Sequence, residues 1–306
     1  MASTASPGEA RYGPRRARAT WAAAVASALV VLGLTDCGGD ATTALHTGPV
    51  DVLYAGSLLD LMQQRIGLAF AKATGDTLDG FSAGSAALAN EIKGQIQRAD
   101  VFISAAPSVN RTLEGSANGD WVSWYATFGN SPLVLGYNPS SAFARALKTK
   151  PWYEVVGQSG FLIGRTDPAT DPKGVLAVEA LDSASRIHHL PVLVSLAESS
   201  SDVFPETTLV GRLQAGQLDA AFLYRVEAAA AHVPAVSLSG VDLQATYTVT
   251  ILNRAPHPAV ARAFVGFLLG PAGRRLVTEG GITALNPVAV TGRSHLPSGV
   301  KAILGG

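Results

Sequence analysis

The chain is poor in the residues on which several classes of function depend. Its 306 residues include one cysteine, which excludes an intramolecular disulfide and a cysteine-based zinc site. Aromatic residues make up 7% of the chain, too few for a base-stacking platform. Basic and acidic residues balance at 23 each, so the sequence lacks the basic face that binding to a phosphate backbone requires. We therefore expect no nucleic-acid partner.

The N-terminal segment has the pattern of an export signal. Basic residues in "RYGPRRARAT" precede fourteen apolar or small residues, from Trp21 to Leu34. A membrane-spanning helix needs roughly 20 such residues, so this run matches the core of a signal peptide better than a membrane anchor. We predict a signal peptide over residues 1–37 and a flexible Gly/Thr-rich tether over residues 38–49.

The single cysteine, Cys37, lies where the apolar run ends, as in bacterial lipoproteins, which are cleaved before this residue and lipidated on it. Asp36 departs from the small residue that usually precedes such a cysteine, which leaves an ordinary secretory signal as the alternative. We predict that Cys37 carries lipid and holds the protein on the extracytoplasmic face of the cell membrane.

From Val50 onward, short apolar runs alternate with helical patterns. "VDVLYAG", "TLDGFSAG" and "ADVFISAA" read as strands, and the segments between them have apolar residues at helical spacing. Strands that alternate with helices favour an α/β fold with a parallel sheet. The segment "LPVLVSLAESS" fits neither pattern clearly.

Two of the strands end in the same Ala-Gly-Ser turn before a helix. Ser57 lies in "YAGSL" and Ser85 in "SAGSAAL". A helix N-terminus offers free N–H groups, glycine admits a ligand close to the backbone, and a serine hydroxyl donates to an anion. Serine is also a common helix cap, and Asp60 completes a capping-box pattern after Ser57. Both interpretations stay open for either turn alone.

No lysine or arginine flanks either turn. A site built only from neutral donors suits an anion that carries no proton, because a protonated anion leaves its own O–H unpaired. The sequence thus predicts a site for a fully deprotonated tetrahedral oxyanion.

The order of several segments resembles the periplasmic molybdate- and tungstate-binding proteins of ABC importers. The segments run from about Val50 to Leu296 and include "YAGSL", "SAGSAAL", "RADVFISAA", "FGNSPLVLGYNP", "GRTDPATDPKG", "ETTLVGRLQAGQLDAAFLYR" and "GPAGRRLVTEGGI". The spellings "AGSAA" and "FLYR" are closest to the archaeal branch of these proteins.

This resemblance implies a set of ligand-binding residues. Ser57 and Ser85 would donate from one lobe, and Tyr224 from the other, with a backbone N–H near Glu206 and Thr207. In the archaeal branch, two carboxylates approach the metal of the oxyanion. One matches Asp171 or, as the weaker match, Asp167. The other is a glutamate where this chain has Leu223, so we expect an apolar wall there and a bound oxyanion that stays tetrahedral.

The resemblance also implies a two-lobed periplasmic-binding-protein fold of type II, α/β throughout, with the ligand in the cleft between the lobes. Residues 50–133 and 246–306 would form lobe one, and residues 134–245 lobe two. The protein would be a monomeric, non-catalytic binder that takes no cofactor and delivers molybdate or tungstate to an ABC permease. A binder of another oxyanion, with sulfate the main competitor, and a serine-dependent hydrolase are the alternatives. No histidine lies in a context that suggests the base of a catalytic triad, which argues against the hydrolase.

Overall fold

Alternating strands and helices fill residues 48–304, which are the residues that this computed structural model describes. The predicted signal peptide, the lipid site at Cys37 and all of the predicted tether up to residue 47 lie outside them. Pro49, placed in the tether by the sequence, is already the first residue of a strand.

The strands are β1 Pro49–Ala55, β2 Thr77–Ala83, β3 Val101–Ser104, β4 Tyr125–Tyr137, β5 Ile163–Gly164, β6 Ala220–Tyr224, β7 Ala235–Ser237, β8 Gln244–Ile251 and β9 Thr283–Thr291. The α-helices are α1 Gly67–Thr74, α2 Ser85–Lys93, α3 Pro107–Arg111, α4 Ala144–Thr149, α5 Trp152–Val156, α6 Pro172–His188, α7 Val192–Glu198, α8 Glu206–Gln214, α9 Arg225–Ala230, α10 Pro258–Leu269, α11 Pro271–Glu279 and α12 Ser298–Ile303. A π-helical segment, Leu61–Ile66, leads into α1, and short 3₁₀ turns lie at Gly56–Leu58, Ser116–Asn118 and Arg293–His295.

The long strand β4 belongs to two groups of strands. Its residues up to Pro132 pair with β8 and β9, and β8 in turn pairs with β3 beside β1 and β2. From Leu133 onward, β4 pairs instead with β6 and β7, and β6 continues to β5. We call the first group the β1 side and the second group the β6 side of the molecule.

The sheet is mixed, which corrects the expectation of a parallel sheet. β1 runs parallel to β2 and β3, and β5 runs parallel to β6, but β8 is antiparallel to both β3 and β4. The alternation of strands and helices is confirmed from β1 to β3. The expectation of parallel pairing fails at β8, which pairs antiparallel with β3 and β4, and at β4, which passes from the β1 side to the β6 side and pairs antiparallel with strands of both.

One helix boundary differs from the sequence pattern, and one ambiguous segment takes a definite form. The helical pattern between the second and third strands continues to Arg98, but α2 ends at Lys93 with Gly94 as its C-cap, because glycine is a poor helix former and a common helix end. The ambiguous segment "LPVLVSLAESS" forms helix α7, which packs on α6.

Apolar side chains cover both faces of the central strands. All four residues of β3 are buried, as expected for a strand covered on both faces. The largest core cluster includes Tyr54, Phe70, Phe222 and Phe264, and separate clusters lie under α2 on the β1 side and under α8 on the β6 side. Between residues 48 and 304, no helix is both long and apolar enough to cross a membrane.

Candidate functional site

The first serine turn places Ser57 at the end of β1, inside a 3₁₀ turn. Ser57 is buried, and its hydroxyl lies 2.9 Å from the hydroxyl of Tyr247 on β8. The residues that precede the 3₁₀ turn and the π-helical segment, Ala55 and Asp60, make no side-chain cap bond. The capping-box interpretation of this turn is therefore wrong, and the hydroxyl of Ser57 is held by a second hydroxyl instead.

The second serine turn places Ser85 as the first residue of α2, fully buried. Its hydroxyl oxygen accepts a hydrogen bond from the Ala105 N–H at 3.1 Å, so the hydroxyl proton can be donated to a ligand. Ala55 and Ala83 are paired across the parallel strands β1 and β2. The two serine turns thus lie side by side at the carboxyl ends of neighbouring strands, where open α/β sheets bind ligands.

Tyr224 ends strand β6 and enters the site from the β6 side. It is 1% exposed, and its ring meets the ring of Tyr247 edge-on at 6.3 Å. Its hydroxyl is buried without a hydrogen-bond partner among residues 48–304. Burial and the charge of Asp171 raise the pKa of Tyr224 well above its usual value, so the phenol remains a donor.

Asp171 and Asp167 occupy different positions in the Asp-Pro loop. Asp171 is buried and caps α6, with Oδ1 accepting the Lys173 N–H at 3.0 Å. The other oxygen, Oδ2, is buried and unpaired within the described part of the chain. Asp167 is half-buried and accepts the Ala169 N–H at 2.9 Å, as the turn interpretation of Asp-Pro predicts.

Glu206 and Thr207 form the start of α8. The Glu206 side chain is 6% exposed, and its Oε1 accepts from the Lys173 ammonium at 3.2 Å. Its Oε2 lies where a Cβ on Gly56 would stand, so a larger residue there would require the Glu206 carboxylate to move. Thr207 is exposed at the rim of the site.

A buried lysine, which the sequence did not suggest, lies among these groups. Lys173 is 0% exposed, and its ammonium contacts Glu227 at 2.7 and 2.9 Å. Burial acts to lower the pKa of Lys173, but the carboxylates of Glu227, Glu206 and Asp171 together raise it above its usual value. The residue therefore carries a full positive charge.

Glu227 reaches this site because α9 begins directly after Tyr224. It is the third residue of the helix, and its Oε2 also accepts the Tyr224 N–H at 3.2 Å. Leu223, one residue before Tyr224, points to the opposite face of β6 and packs in the cluster under α8. The expectation that Leu223 forms an apolar wall against the ligand is therefore wrong.

Sequence reasoning misses Lys173 and Tyr247 as members of the site, and it admits Glu227, four residues after Leu223, only if the helix there begins early. Glu227 carried a usable signal, because a glutamate three residues after a helix N-cap commonly folds back to the backbone. Lys173 stands directly after the second Asp-Pro pair, and Tyr247 lies within an apolar strand. Nothing in the spacing of those two residues points to the site.

Two cavities flank this cluster. One, of about 270 Å³, is lined by residues that include Ser57, Glu206 and Glu227. The other, of about 350 Å³, is lined by residues that include Gly84, Asp167 and Asp171. Thr207 borders both cavities. The arrangement offers hydroxyl donors beside an ion-paired ammonium and three carboxylates, a set that suits binding of a small polar solute.

The β2–α2 turn touches the Asp-Pro loop across the site. The Ala87 N–H in the first turn of α2 donates to the Thr170 carbonyl at 3.0 Å. A Cβ on Gly84 would collide with the same carbonyl oxygen and approach Asp171. These contacts bring the two sides of the molecule together over the cluster.

The sequence profile of bacterial extracellular solute-binding proteins matches residues 50–283. A putative ABC transporter molybdenum-binding protein of Haloferax volcanii is 30% identical over 70% of this chain and 70% of its own length. The molybdate/tungstate-binding protein WtpA of Pyrococcus abyssi is 22% identical over 92% of this chain and 97% of its own.

Among solved structures, the periplasmic molybdate-binding protein of Azotobacter vinelandii is similar in fold. It superposes with a TM-score of 0.62 and 18% identity, over 76% of this chain and 98% of that one. At this level of identity the likeness establishes a shared two-lobed α/β fold.

Proposed function

The chain belongs to the family of bacterial extracellular solute-binding proteins, and from that premise we propose that it captures molybdate or tungstate and delivers it to an ABC permease. The observation that carries the proposal is a chain of contacts between the two sides of the molecule. The Ser57 hydroxyl meets the Tyr247 hydroxyl, the Tyr247 ring meets the ring of Tyr224, and the Lys173 ammonium lies over that ring. Ser85 begins the helix after the neighbouring strand, and the Tyr224 hydroxyl has no hydrogen-bond partner among the described residues, which supports hydroxyl donation to a solute from both sides. The names of the relatives support the choice of solute.

The solute would lie in a cleft between two lobes. We assign residues 50–133 and 246–306 to one lobe and residues 134–245 to the other. The change of partners along β4 between Pro132 and Leu133 supports this division. The contact between Ala87 and Thr170 would be one of those that form when the lobes close around the solute.

Binding without catalysis fits the surroundings of the two serines. A serine nucleophile needs an adjacent base to take its proton. The hydroxyl of Ser57 instead meets the Tyr247 hydroxyl, whose pKa is raised by burial, and the hydroxyl of Ser85 accepts a backbone N–H. We propose a monomeric binding protein, held at the extracytoplasmic membrane face by lipid on Cys37.

A ligand screen tests the proposal. The purified protein is titrated with molybdate, tungstate, sulfate and phosphate, with calorimetry and thermal unfolding as readouts. Molybdate and tungstate should each raise the unfolding temperature and bind one per chain, because a ligand that binds only the folded state stabilises it. If sulfate alone stabilises the protein, the solute is sulfate and not molybdate or tungstate. If none of the four anions releases heat on titration, the protein is not an oxyanion binder.

A further inference from the structure

The cluster around Lys173 holds more negative than positive charge. Three carboxylates, Asp171, Glu206 and Glu227, surround the single ammonium, which gives a net charge of −2 when all four groups are ionised. A divalent oxyanion bound beside them would bring the total to −4 in a buried volume. Buried charges persist in proteins when they are paired, so this excess has to be removed on binding.

The three carboxylates are not held equally. Both oxygens of Glu227 contact Lys173, and one of them also accepts the Tyr224 N–H. One oxygen of Asp171 caps helix α6. Glu206 makes a single and longer contact with the ammonium, at 3.2 Å, and its other oxygen lies against Gly56 beside Ser57. Asp171 and Glu206 thus each have one oxygen without a hydrogen bond among the described residues, and that of Glu206 is the one beside the first serine turn. A proton on this oxygen leaves the Oε1 contact with the ammonium in place.

The structure assigns a second role to this site, which rests on the proposed function: the oxyanion binds together with one proton from solvent, and the Glu206 carboxylate takes up that proton. The only bond formed is the O–H of the neutral carboxyl group. Lys173 keeps its charge and its contacts with Glu227. The neutral Glu206 removes one negative charge and becomes a hydrogen-bond donor next to the first serine turn.

The groups that face Glu206 act together on the pKa of its carboxyl group. Burial raises the pKa of Glu206 to about 7; Lys173 opposes the rise, and Glu227 and Asp171 add to it. The pKa of Lys173 on α6 is raised, as are the pKa values of Tyr224 on β6 and Tyr247 on β8, so these three stay protonated. From the β1 side, the exposed Asp60 borders the same cavity.

The protonation state of Glu206 in the free protein decides how the dissociation constant changes with pH. Below pH 7, Glu206 is already protonated in the free protein. Binding then takes up almost no proton, so the dissociation constant does not change with pH. Above pH 7, each bound oxyanion must bring a proton, so the dissociation constant rises toward about tenfold per pH unit.

Calorimetry with molybdate tests the inference on the wild-type protein. Titrations at about pH 8 in buffers of different ionisation enthalpy count the protons taken up, and the dissociation constant is measured from about pH 6 to about pH 9. We expect close to one proton per molybdate and the rise described above. Binding with no proton uptake and a flat pH profile would overturn the inference, whereas no binding at pH 6 by folded protein would overturn the proposed function instead.

Glu206→Gln identifies the residue, because an amide copies the neutral carboxyl. This variant should bind molybdate with no proton uptake and with a dissociation constant that stays flat up to pH 9. Glu198→Gln, at an exposed glutamate of α7, is the matched control and should retain the wild-type slope. A Glu206→Gln protein that keeps the slope would exclude Glu206. If that variant does not fold, the proton count of the wild-type protein still decides whether uptake occurs.

Discussion

At the scale of single residues, the two serines are the clearest test of the site. Ser57→Ala and Ser85→Ala each remove a donor to a charged ligand, worth about 1.5–3 kcal/mol, so each should raise the dissociation constant for molybdate about 10- to 100-fold. Calorimetry on both variants checks this. Ser185→Ala is the control, because Ser185 is as buried as Ser57 but donates to the Leu190 carbonyl at the end of α6. Unchanged affinity in both variants would exclude the site.

The hydroxyl of Tyr224 separates binding from folding. Because it is buried without a partner in the part of the chain that is described, Tyr224→Phe should not lower the unfolding temperature of the ligand-free protein. The same variant should lose part of the stabilisation by molybdate, through the loss of one hydrogen bond to the oxyanion. Thermal unfolding with and without molybdate measures both effects.

Tyr137→Phe is the matched control for that experiment, since Tyr137 is also buried but ends β4 away from the serine turns. Its stabilisation by molybdate should equal that of the wild-type protein. A Tyr224→Phe protein that is destabilised without ligand and fully stabilised with it would show that the hydroxyl serves the fold and not the solute.

At the scale of secondary-structure elements, the approach of the β2–α2 turn to the Asp-Pro loop decides whether the site can close. Gly84→Ala places a methyl group against the Thr170 carbonyl, which the backbone of the loop cannot easily avoid. Overpacking of this kind costs about 1–3 kcal/mol, so we expect the dissociation constant to rise about 5- to 100-fold. Calorimetry measures the affinity, and small-angle scattering measures whether the protein with bound molybdate is more open.

Gly211→Ala is the control for this element. Gly211 lies inside α8 with open space around it, so alanine should stabilise the protein by about 0.5–1 kcal/mol and leave binding unaffected. Wild-type affinity in Gly84→Ala would mean that the contact between the turn and the loop is not needed in the bound state.

At the scale of the whole molecule, the lipid anchor is tested by measuring in which cell fraction the protein is found. Cys37→Ala removes the single thiol to which lipid could be attached. We expect the wild-type protein in the membrane fraction and the variant in the soluble extracytoplasmic fraction, with mass spectrometry of the mature N-terminus as a second readout. A variant that stays with the membrane, or a wild-type N-terminus without lipid, would contradict the prediction and favour an ordinary secretory signal.

The two serine turns of the site could be predicted from the sequence, because their geometry is local. The strand, the Ala-Gly-Ser turn and the helix follow one another within a few residues, and the parallel pairing of β1 with β2 then aligns both turns. The family resemblance added Tyr224 and the Asp-Pro loop, and the structure places both beside the serine turns. The prediction of a parallel sheet failed at β4 and β8, where local patterns carry no information on strand direction.

The sequence by itself determined the alternation of the first strands and helices and the place of the two serines after β1 and β2. Its N-terminal pattern predicts export. These features depend on residues close together in the chain, where periodicity and turn chemistry act. Only the tertiary structure decided the charge of the site, because Lys173, Glu206 and Glu227 come from three helices that meet in space. It also decided that Tyr224 faces the site and Leu223 does not. Side chains on a strand alternate between its two faces, and only tertiary packing determines which of the two faces lies toward the site.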